Sequence, residues 1–176
     1  VKYEIIPYVD KDHETEGNDN PIIEAPEVCP FCGKPLEEKP VLMCVNTECP
    51  SRIMGKIDNY CRKMDIKGIG SSMIEDLFNA GILKSIADLY NLKEHHSAIV
   101  ELDGFGEKKY EMMVKAVKKR DEIDPAIMLG SIGIKSVGRR KFKKILGIYY
   151  IDVLMAMNEK DIDKLIKVEG IQEATA

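Results

Sequence analysis

Cysteine spacing is the sharpest chemical signal in this sequence. Cys29-Pro-Phe-Cys32-Gly33 and Cys44-Val-Asn-Thr-Glu-Cys49-Pro50 form a C-x2-C-x11-C-x4-C pattern. Zinc favours four thiolates in a tetrahedron, and a close cysteine pair on a tight turn delivers two of them. Gly33 allows the turn after the first pair. A redox Cys-x-x-Cys would leave the second pair without a role. Disulfides suit secreted proteins, and Val1-Lys-Tyr-Glu4 has no signal-peptide pattern. The expectation is a structural zinc held by Cys29, Cys32, Cys44 and Cys49. Four protein ligands close the coordination shell, so the metal is not expected to be catalytic. It would tie down about 25 residues, too few for a core of their own. Cys61 stands apart in Ile57-Asp-Asn-Tyr-Cys-Arg-Lys-Met64. There it shares a helical face with Ile57, Tyr60 and Met64, so a buried structural thiol is expected.

A second signal is a repeat of apolar-x-Gly-apolar-Gly. Ile66-Lys-Gly-Ile-Gly70 and Leu102-Asp-Gly-Phe-Gly106 keep both glycines. Ile134-Lys-Ser-Val-Gly138 has Ser136 in the first glycine slot, and Val168-Glu-Gly-Ile-Gln172 has Gln172 in the second. The first slots are 68, 104, 136 and 170, spaced by 36, 32 and 34 residues. A near-constant period of that size marks a repeated supersecondary unit. The pattern resembles the helix-hairpin-helix motif of DNA-binding proteins. Glycine in such a turn takes backbone angles closed to other residues. The turn then presents N–H groups beside a helix N-terminus, a setting that suits phosphate. A single copy would read equally well as a helix-ending glycine beside an ordinary loop; four in register argue for the repeat. Gln172 is expected to restrict its turn and weaken phosphate contact there.

Composition bounds the rest. At 176 residues one or two domains are expected. No apolar run approaches the roughly 18 residues that span a membrane. The chain starts without Met, as expected for a piece of a longer protein. A net charge of −4 conceals an asymmetry: residues 1–50 carry 4 basic and 11 acidic side chains, against 22 and 19 in residues 51–176. Two basic clusters stand out, Lys115-Ala-Val-Lys-Lys-Arg120 and Arg139-Arg-Lys-Phe-Lys-Lys144. Either can be a solvated helix face. The second starts on a repeat glycine, where a phosphate would lie, which favours nucleic acid. Acidic Asp65, Asp103 and Glu107 near the first two hairpins would oppose it.

The elements that must position these groups follow from periodicity. Val1–Val9 predicts a strand, Asp10–Pro21 a loop and Pro21–Pro26 a second extended segment. From Met54 onward the chain reads as helices. Ser72-Met-Ile-Glu75 has capping-box form, predicting a helix to Asn79 stopped by Gly81. A short helix is predicted over Ser85–Tyr90, and another, capped by Asn91, to about Val100. Glu107–Arg120 carries Tyr110, Met113, Val114 and Val117 at helical spacing. Asp124-Pro125 caps and opens a helix to Ser131, which Gly133 breaks. Arg139–Leu146 turns Phe142, Ile145 and Leu146 inward, and Tyr150–Met157 and Glu159–Lys167 are two further helices. His95 and His96 point about 100° apart on a helix, so both read as surface residues rather than metal ligands. No P-loop or strand-led G-x-G-x-x-G is present.

The order of these parts resembles the bacterial NAD-dependent DNA ligases. The likeness is dense in Glu27-Val-Cys-Pro-Phe-Cys-Gly33, Cys44-Val-Asn-Thr-Glu-Cys-Pro50, Met64-Asp-Ile-Lys-Gly-Ile-Gly70, Ile86-Ala-Asp-Leu-Tyr90, Leu102-Asp-Gly-Phe-Gly-Glu-Lys108 and Leu129-Gly-Ser-Ile-Gly-Ile-Lys-Ser-Val-Gly138. The resemblance implies that residues 1–27 end an OB-fold domain, 28–53 are a zinc finger, and 54–176 are a helix-hairpin-helix domain with a truncated fourth motif. It implies a mainly α fold with a small four-cysteine zinc finger and a short β tail. It further implies binding of nicked double-stranded DNA through the minor groove, alongside upstream OB-fold and adenylation domains of the same chain. NAD and magnesium would serve the parent enzyme and not this portion. The nucleophilic lysine of that family lies in a Lys-x-Asp-Gly motif. The nearest string here, Glu101-Leu-Asp-Gly104, has Glu in the lysine position, so no catalytic residue is expected and the chain alone should not ligate. A cytoplasmic, nucleoid-associated location and no membrane partner are implied as well.

The expected DNA contacts are the backbone N–H groups of Gly68, Ile69 and Gly70, and of Gly104, Phe105 and Gly106. Gly138 belongs to the third hairpin, and Lys108, Lys135, Arg139, Arg140 and Lys141 would supply charge. Two rival readings stand beside this one. The repeats could be a structural, protein-binding module of another repair protein, or belong to a nuclease. A nuclease would need metal-binding carboxylates, which the spacing does not suggest.

Overall fold

The computed structural model describes residues 25–38, 41–120, 122–173 and 176. The strand expected over Val1–Val9, the loop after it and nearly all of the expected OB-fold tail lie outside them. The described residues begin with a small β element. Strands β1 (Leu36–Glu38) and β2 (Leu42–Cys44) pair antiparallel, with Leu36 opposite Cys44 and Glu38 opposite Leu42. Val28 and Pro35 form a further isolated bridge.

Helices follow. Helix α1 (Pro50–Lys63) starts on Cys49, which has extended geometry, with Pro50 in the first turn. Proline fits there because its φ is already helical and its missing N–H has no helical partner to lose. The helix thus opens four residues earlier than expected and crosses the boundary drawn between 53 and 54. It ends in a Schellman turn: Ile66 N–H donates to Cys61 O at 2.8 Å and Asp65 N–H to Arg62 O at 3.1 Å. Asp65 takes the left-handed position with φ 52°, which Asp tolerates better than most side chains.

Helix α2 (Ser71–Asn79) has extended Gly70 as its N-cap and no side-chain cap. The capping box expected at Ser72 does not form, because Ser72 already lies inside the first turn. The Ser71 hydroxyl instead donates to Asp58 Oδ1 at 3.2 Å. Gly81, φ 74°, ends α2 as expected, with Ile82 N–H reaching Leu77 O. Two 3-10 turns, Ala87–Tyr90 and Leu92–His95, lead into α3 (His96–Val100). Asn91 makes no side-chain cap, so the continuous helix expected after it is split. Helix α4 (Glu107–Lys118) is two residues shorter than expected. Helix α5 (Pro125–Ser131) is capped by Asp124, which accepts from Ala126 N–H at 2.9 Å. Then come α6 (Arg139–Leu146), α7 (Ile151–Met155), a 3-10 turn at Glu159–Asp161 and α8 (Ile162–Ile166).

These elements bury two apolar clusters. The first joins Ile57, Tyr60, Cys61 and Met64 of α1 with Ile74 and Leu77 of α2, Ile99 of α3, and Met113 and Val117 of α4. Cys61 is 1% exposed, and burial raises its thiol pKa to about 11. The second cluster contains Leu129, Val137, Phe142, Ile145, Val168 and Ile171. Met128 of α5 packs against both, and Ile127 against the first. Each cluster therefore holds one pair of the repeats, 66–70 with 102–106 and 134–138 with 168–172.

Helices α5 and α6 approach each other at Gly130. A Cβ there would lie 2.4 Å from the backbone N of Arg139. Gly130→Ala is expected to destabilise the protein by about 1–3 kcal/mol, the usual range for overpacking against a backbone that cannot yield. Gly55→Ala, mid-α1 with nothing within 4 Å of the new methyl, is expected to stabilise it by about 0.5–1 kcal/mol. Urea unfolding of the two variants checks both signs.

Candidate metal centre and nucleic-acid interface

The four expected cysteines converge. The Sγ atoms of Cys29, Cys32, Cys44 and Cys49 all lie within 4.8 Å of one another. Cys29 and Cys49 are 3.8 Å apart, and Cys32 and Cys44 are 3.6 Å apart. A tetrahedron with metal–sulfur bonds of about 2.3 Å places its sulfurs roughly 3.8 Å apart, so the set fits a single four-coordinate ion. Backbone bonds build the first turn: Gly33 N–H donates to Cys29 O and Cys29 N–H to Lys34 O, both at 2.8 Å, with Gly33 at φ 68°. Asn46 organises the second. Its Oδ1 accepts from Glu48 N–H and from Lys34 Nζ, each at 3.3 Å, tying the two turns together.

The thiols are electrostatically unequal. The Lys34 backbone N–H, then the Asn46 side chain, lower Cys32 to about 6. Loss of hydration pushes Cys44 up to about 12. Cys49 is fully buried and caps α1. Native mass spectrometry is expected to find one metal ion per chain. Cys44→Ser should abolish it and Cys61→Ser should leave it intact. Acid should release the ion as the thiolates protonate.

The hairpins share one backbone signature. Gly68, Gly104, Ser136 and Gly170 have φ of 88°, 71°, 64° and 84°. Ser136 thus adopts the left-handed angle that its slot demands, despite its side chain. The second slot is different. Gly70 and Gly138 are extended, at φ −101° and −105°, and only Gly106 of the three glycines there is left-handed, at 86°. Gln172 is not among the positive-φ residues, so it does not need the backbone angle that a side chain restricts.

Between the two slots the apolar residue turns inward. Ile69, Val137 and Ile171 are buried and Phe105 is half-buried. The N–H of Phe105 is consumed, donating to Leu102 O at 3.0 Å; Val137 and Ile171 do the same to Ile134 and Val168. Phe105 therefore anchors the turn and does not offer the free N–H expected of it. Of the other expected amides, Gly68, Ile69, Gly70, Gly104, Gly106 and Gly138 have no backbone partner among the described residues, and the same holds for Ser71 and Ser72 of α2, Glu107 and Lys108 of α4, and Arg139 and Arg140 of α6.

Charged groups surround these turns unequally. Lys108, Lys135, Arg139 and Arg140 are exposed and Lys141 is half-buried; none makes an ion pair among the described residues. Lys109 is a contributor that spacing did not single out. Its Nζ donates to Gly104 O at 3.1 Å and sits 3.9 Å above the Phe105 ring. Two of the acids are answered. Arg120 holds the Asp65 carboxylate and donates to its backbone O at 2.6 Å. His96 Nε2 lies 3.1 Å from Glu107, so His96 is a surface residue bound to the start of α4. Lys108 is brought beside hairpin one. Gly138 and Arg139 instead line a separate recess with Lys63 of α1. Glu101-Leu-Asp-Gly104 sits in hairpin two. No helix among the described residues is long and apolar enough to cross a membrane.

Fold and turns define a tandem helix-hairpin-helix protein with an attached four-cysteine knuckle, and residues 64–119 match the family model for the SAM-like helix-hairpin-helix tandem. Similar proteins carry the same order over nearly the whole chain. A DNA ligase of Leptospira interrogans is 34% identical over 98% of this chain and 26% of that protein. A DNA ligase of Fusobacterium nucleatum is 33% identical over 98% and 25%, and one of Aquifex aeolicus 34% over 96% and 24%. The chain belongs to the DNA ligase family, and it spans about a quarter of the length of these relatives.

Proposed function

We propose that this chain is the duplex-gripping portion of an NAD-dependent DNA ligase, and that it holds nicked DNA by its phosphates while the adenylation chemistry occurs elsewhere in the parent enzyme. The observation that carries this reading is the shared turn. Four left-handed slots recur, and at α2, α4 and α6 the unpartnered first-turn amides follow at once. Such amides and the helix dipole suit a phosphate oxygen and carry no base information. Lys108, Lys135, Arg139, Arg140 and Lys141 add long-range attraction.

In this reading residues 28–53 form a zinc finger and 54–176 the DNA-binding domain. Zinc is the natural occupant of four thiolates at tetrahedral spacing. It would hold the knuckle against α1 and supply no open coordination position. NAD and magnesium belong to the adenylation step. The family's Lys-x-Asp-Gly motif does not occur in these 176 residues, the nearest string being Glu101-Leu-Asp-Gly104 of hairpin two, so in this reading the chain alone accepts no AMP. The setting is the cytoplasm, on the nucleoid, as part of replication and repair.

Fluorescence anisotropy with a nicked duplex, an intact duplex and a single strand, over a salt series, tests the proposal. Duplex binding should weaken steeply with salt. Changing Arg139 and Arg140 together to Ala should lower the logarithmic salt slope by about two units, one per cation removed. Absence of duplex binding at low salt would instead favour the protein-contact reading, to which the exposed Phe31 and Val41 of the knuckle lend surface.

A further inference from the structure

Apart from Arg120, which holds Asp65, the basic cluster Lys115-Ala-Val-Lys-Lys-Arg120 has no part in the hairpin contacts above, yet the fold gives it a defined setting. Hairpin one lies against α4 so closely that a Cβ on Gly68 would fall 2.9 Å from Met112 Sδ. Beside this contact runs an open groove of about 520 Å³. Met112 and Ala116 form its apolar floor; Lys67, Lys108, Lys115 and Lys119 form its rim. Positions 108, 112, 115 and 119 follow helical spacing, so α4 and the residue just past its end turn one face to the groove. Their rise of about 16 Å carries the lysine row from hairpin two, where Lys108 stands, past hairpin one, where Lys67 stands.

The charges in the groove do not cancel. Among the described residues, Lys108, Lys115 and Lys119 make no ion pair. The carboxylate of Asp65 is held by Arg120, with Lys67 farther off at 3.9 Å. Glu111 is the remaining acid on the lining. Arg120 is thus a lock on hairpin one, and the lysines are left for a ligand. Lysine ammonium groups act as point charges toward phosphate, while an apolar floor suits the faces of deoxyribose.

We propose that this groove is a phosphate track: one DNA strand passes along α4 between hairpins two and one, its phosphates met by Lys108, Lys115, Lys119 and Lys67. The assignment rests on the duplex-binding reading above and adds a continuous contact between two turns that would otherwise act separately. Lys67, Lys115 and Lys119 are its positioning residues; none is a hairpin glycine, and Lys119 closes α4 with its backbone, leaving its side chain exposed.

The test is the salt dependence of anisotropy with a short nicked duplex, using the 176-residue chain and its triple variant Lys67→Ala, Lys115→Ala, Lys119→Ala. These exposed positions tolerate Ala, and circular dichroism confirms folding. The track predicts a salt slope lower by about three units, with at least a tenfold loss of affinity at moderate salt. Arg at the same three positions should restore the slope. A charge-matched control, Lys56→Ala, Lys93→Ala, Lys160→Ala, should lose little slope. If the wild-type chain binds duplex with a steep slope and the groove triple keeps it, the track is overturned and the duplex reading stands. If the two triples lose slope equally, the effect is net charge and the track is again overturned. If the wild-type chain shows no salt-dependent duplex binding, both proposals fall together.

Discussion

Everything in this structure depends on a turn whose centre must be buried while the residue before it is left-handed. Ile69, Val137 and Ile171 insert into the apolar clusters, and Gly68, Ser136 and Gly170 supply positive φ one residue earlier. The insertion fixes the turn against the core. The left-handed residue reverses the chain, so that the next helix departs with its first amides facing outward. At hairpins two, three and four the buried residue also spends its own N–H inside the turn. The N–H groups left without a backbone partner at those turns therefore include the helix start and not the buried residue. Packing and anion presentation are thus one device, and a core substitution at Ile69 would displace the amides of α2 without touching them.

The knuckle uses the same economy. Cys49 places its sulfur in the four-cysteine cluster and caps α1 with its backbone. Helix α1 then carries Ile57, Tyr60 and Met64 into the first apolar cluster. A metal bound at the knuckle would consequently fix the start of the helix on which hairpin one is built. The four-cysteine element and the helical part differ in composition, but α1 belongs to both. The helix begins at Pro50 because the chain must turn at Cys49 to bring its sulfur within reach of Cys29.

Much of this was legible in the sequence, for physical reasons that differ by element. The cysteine set was readable because its chemistry admits few spacings, and the four sulfurs converge as expected. The repeats were readable because positive φ leaves a glycine behind. Ser136 marks the limit of that signal: the turn persists without its glycine, recognisable only by register. Asp124-Pro125 and Gly81 signalled helix ends correctly because each acts within one turn. Ser72 misled because a cap is decided by where the preceding hairpin ends, which Gly70 settles. Gln172 misled in the opposite direction: it stands in the second glycine slot of the repeat, yet Gly70 and Gly138 are extended in that slot and Gln172 has no positive φ. The role of Phe105 was hidden because a backbone donor's partner, Leu102 O, is a fact of turn geometry and leaves no mark in composition.

Charge was the least legible property, since its sign depends on neighbours far away in sequence. Asp65 reads as an obstacle to an anion at hairpin one until Arg120, 55 residues later, is seen to hold it. Glu107 reads the same way at hairpin two until His96 is found against it. An exposed ion pair such as Arg120–Asp65 adds little to stability. Its effect here is on the local field, since it ties down an acid beside a turn whose amides are open. The chain is acidic overall at −4, yet Lys108, Lys115 and Lys119 make no ion pair among the described residues. Field strength at a surface follows from which charges are left over after pairing, within about one Debye length of 8–10 Å, and not from the sum over the chain. A protein of this composition can therefore present a cationic groove at the hairpins while keeping the solubility that a net negative charge confers.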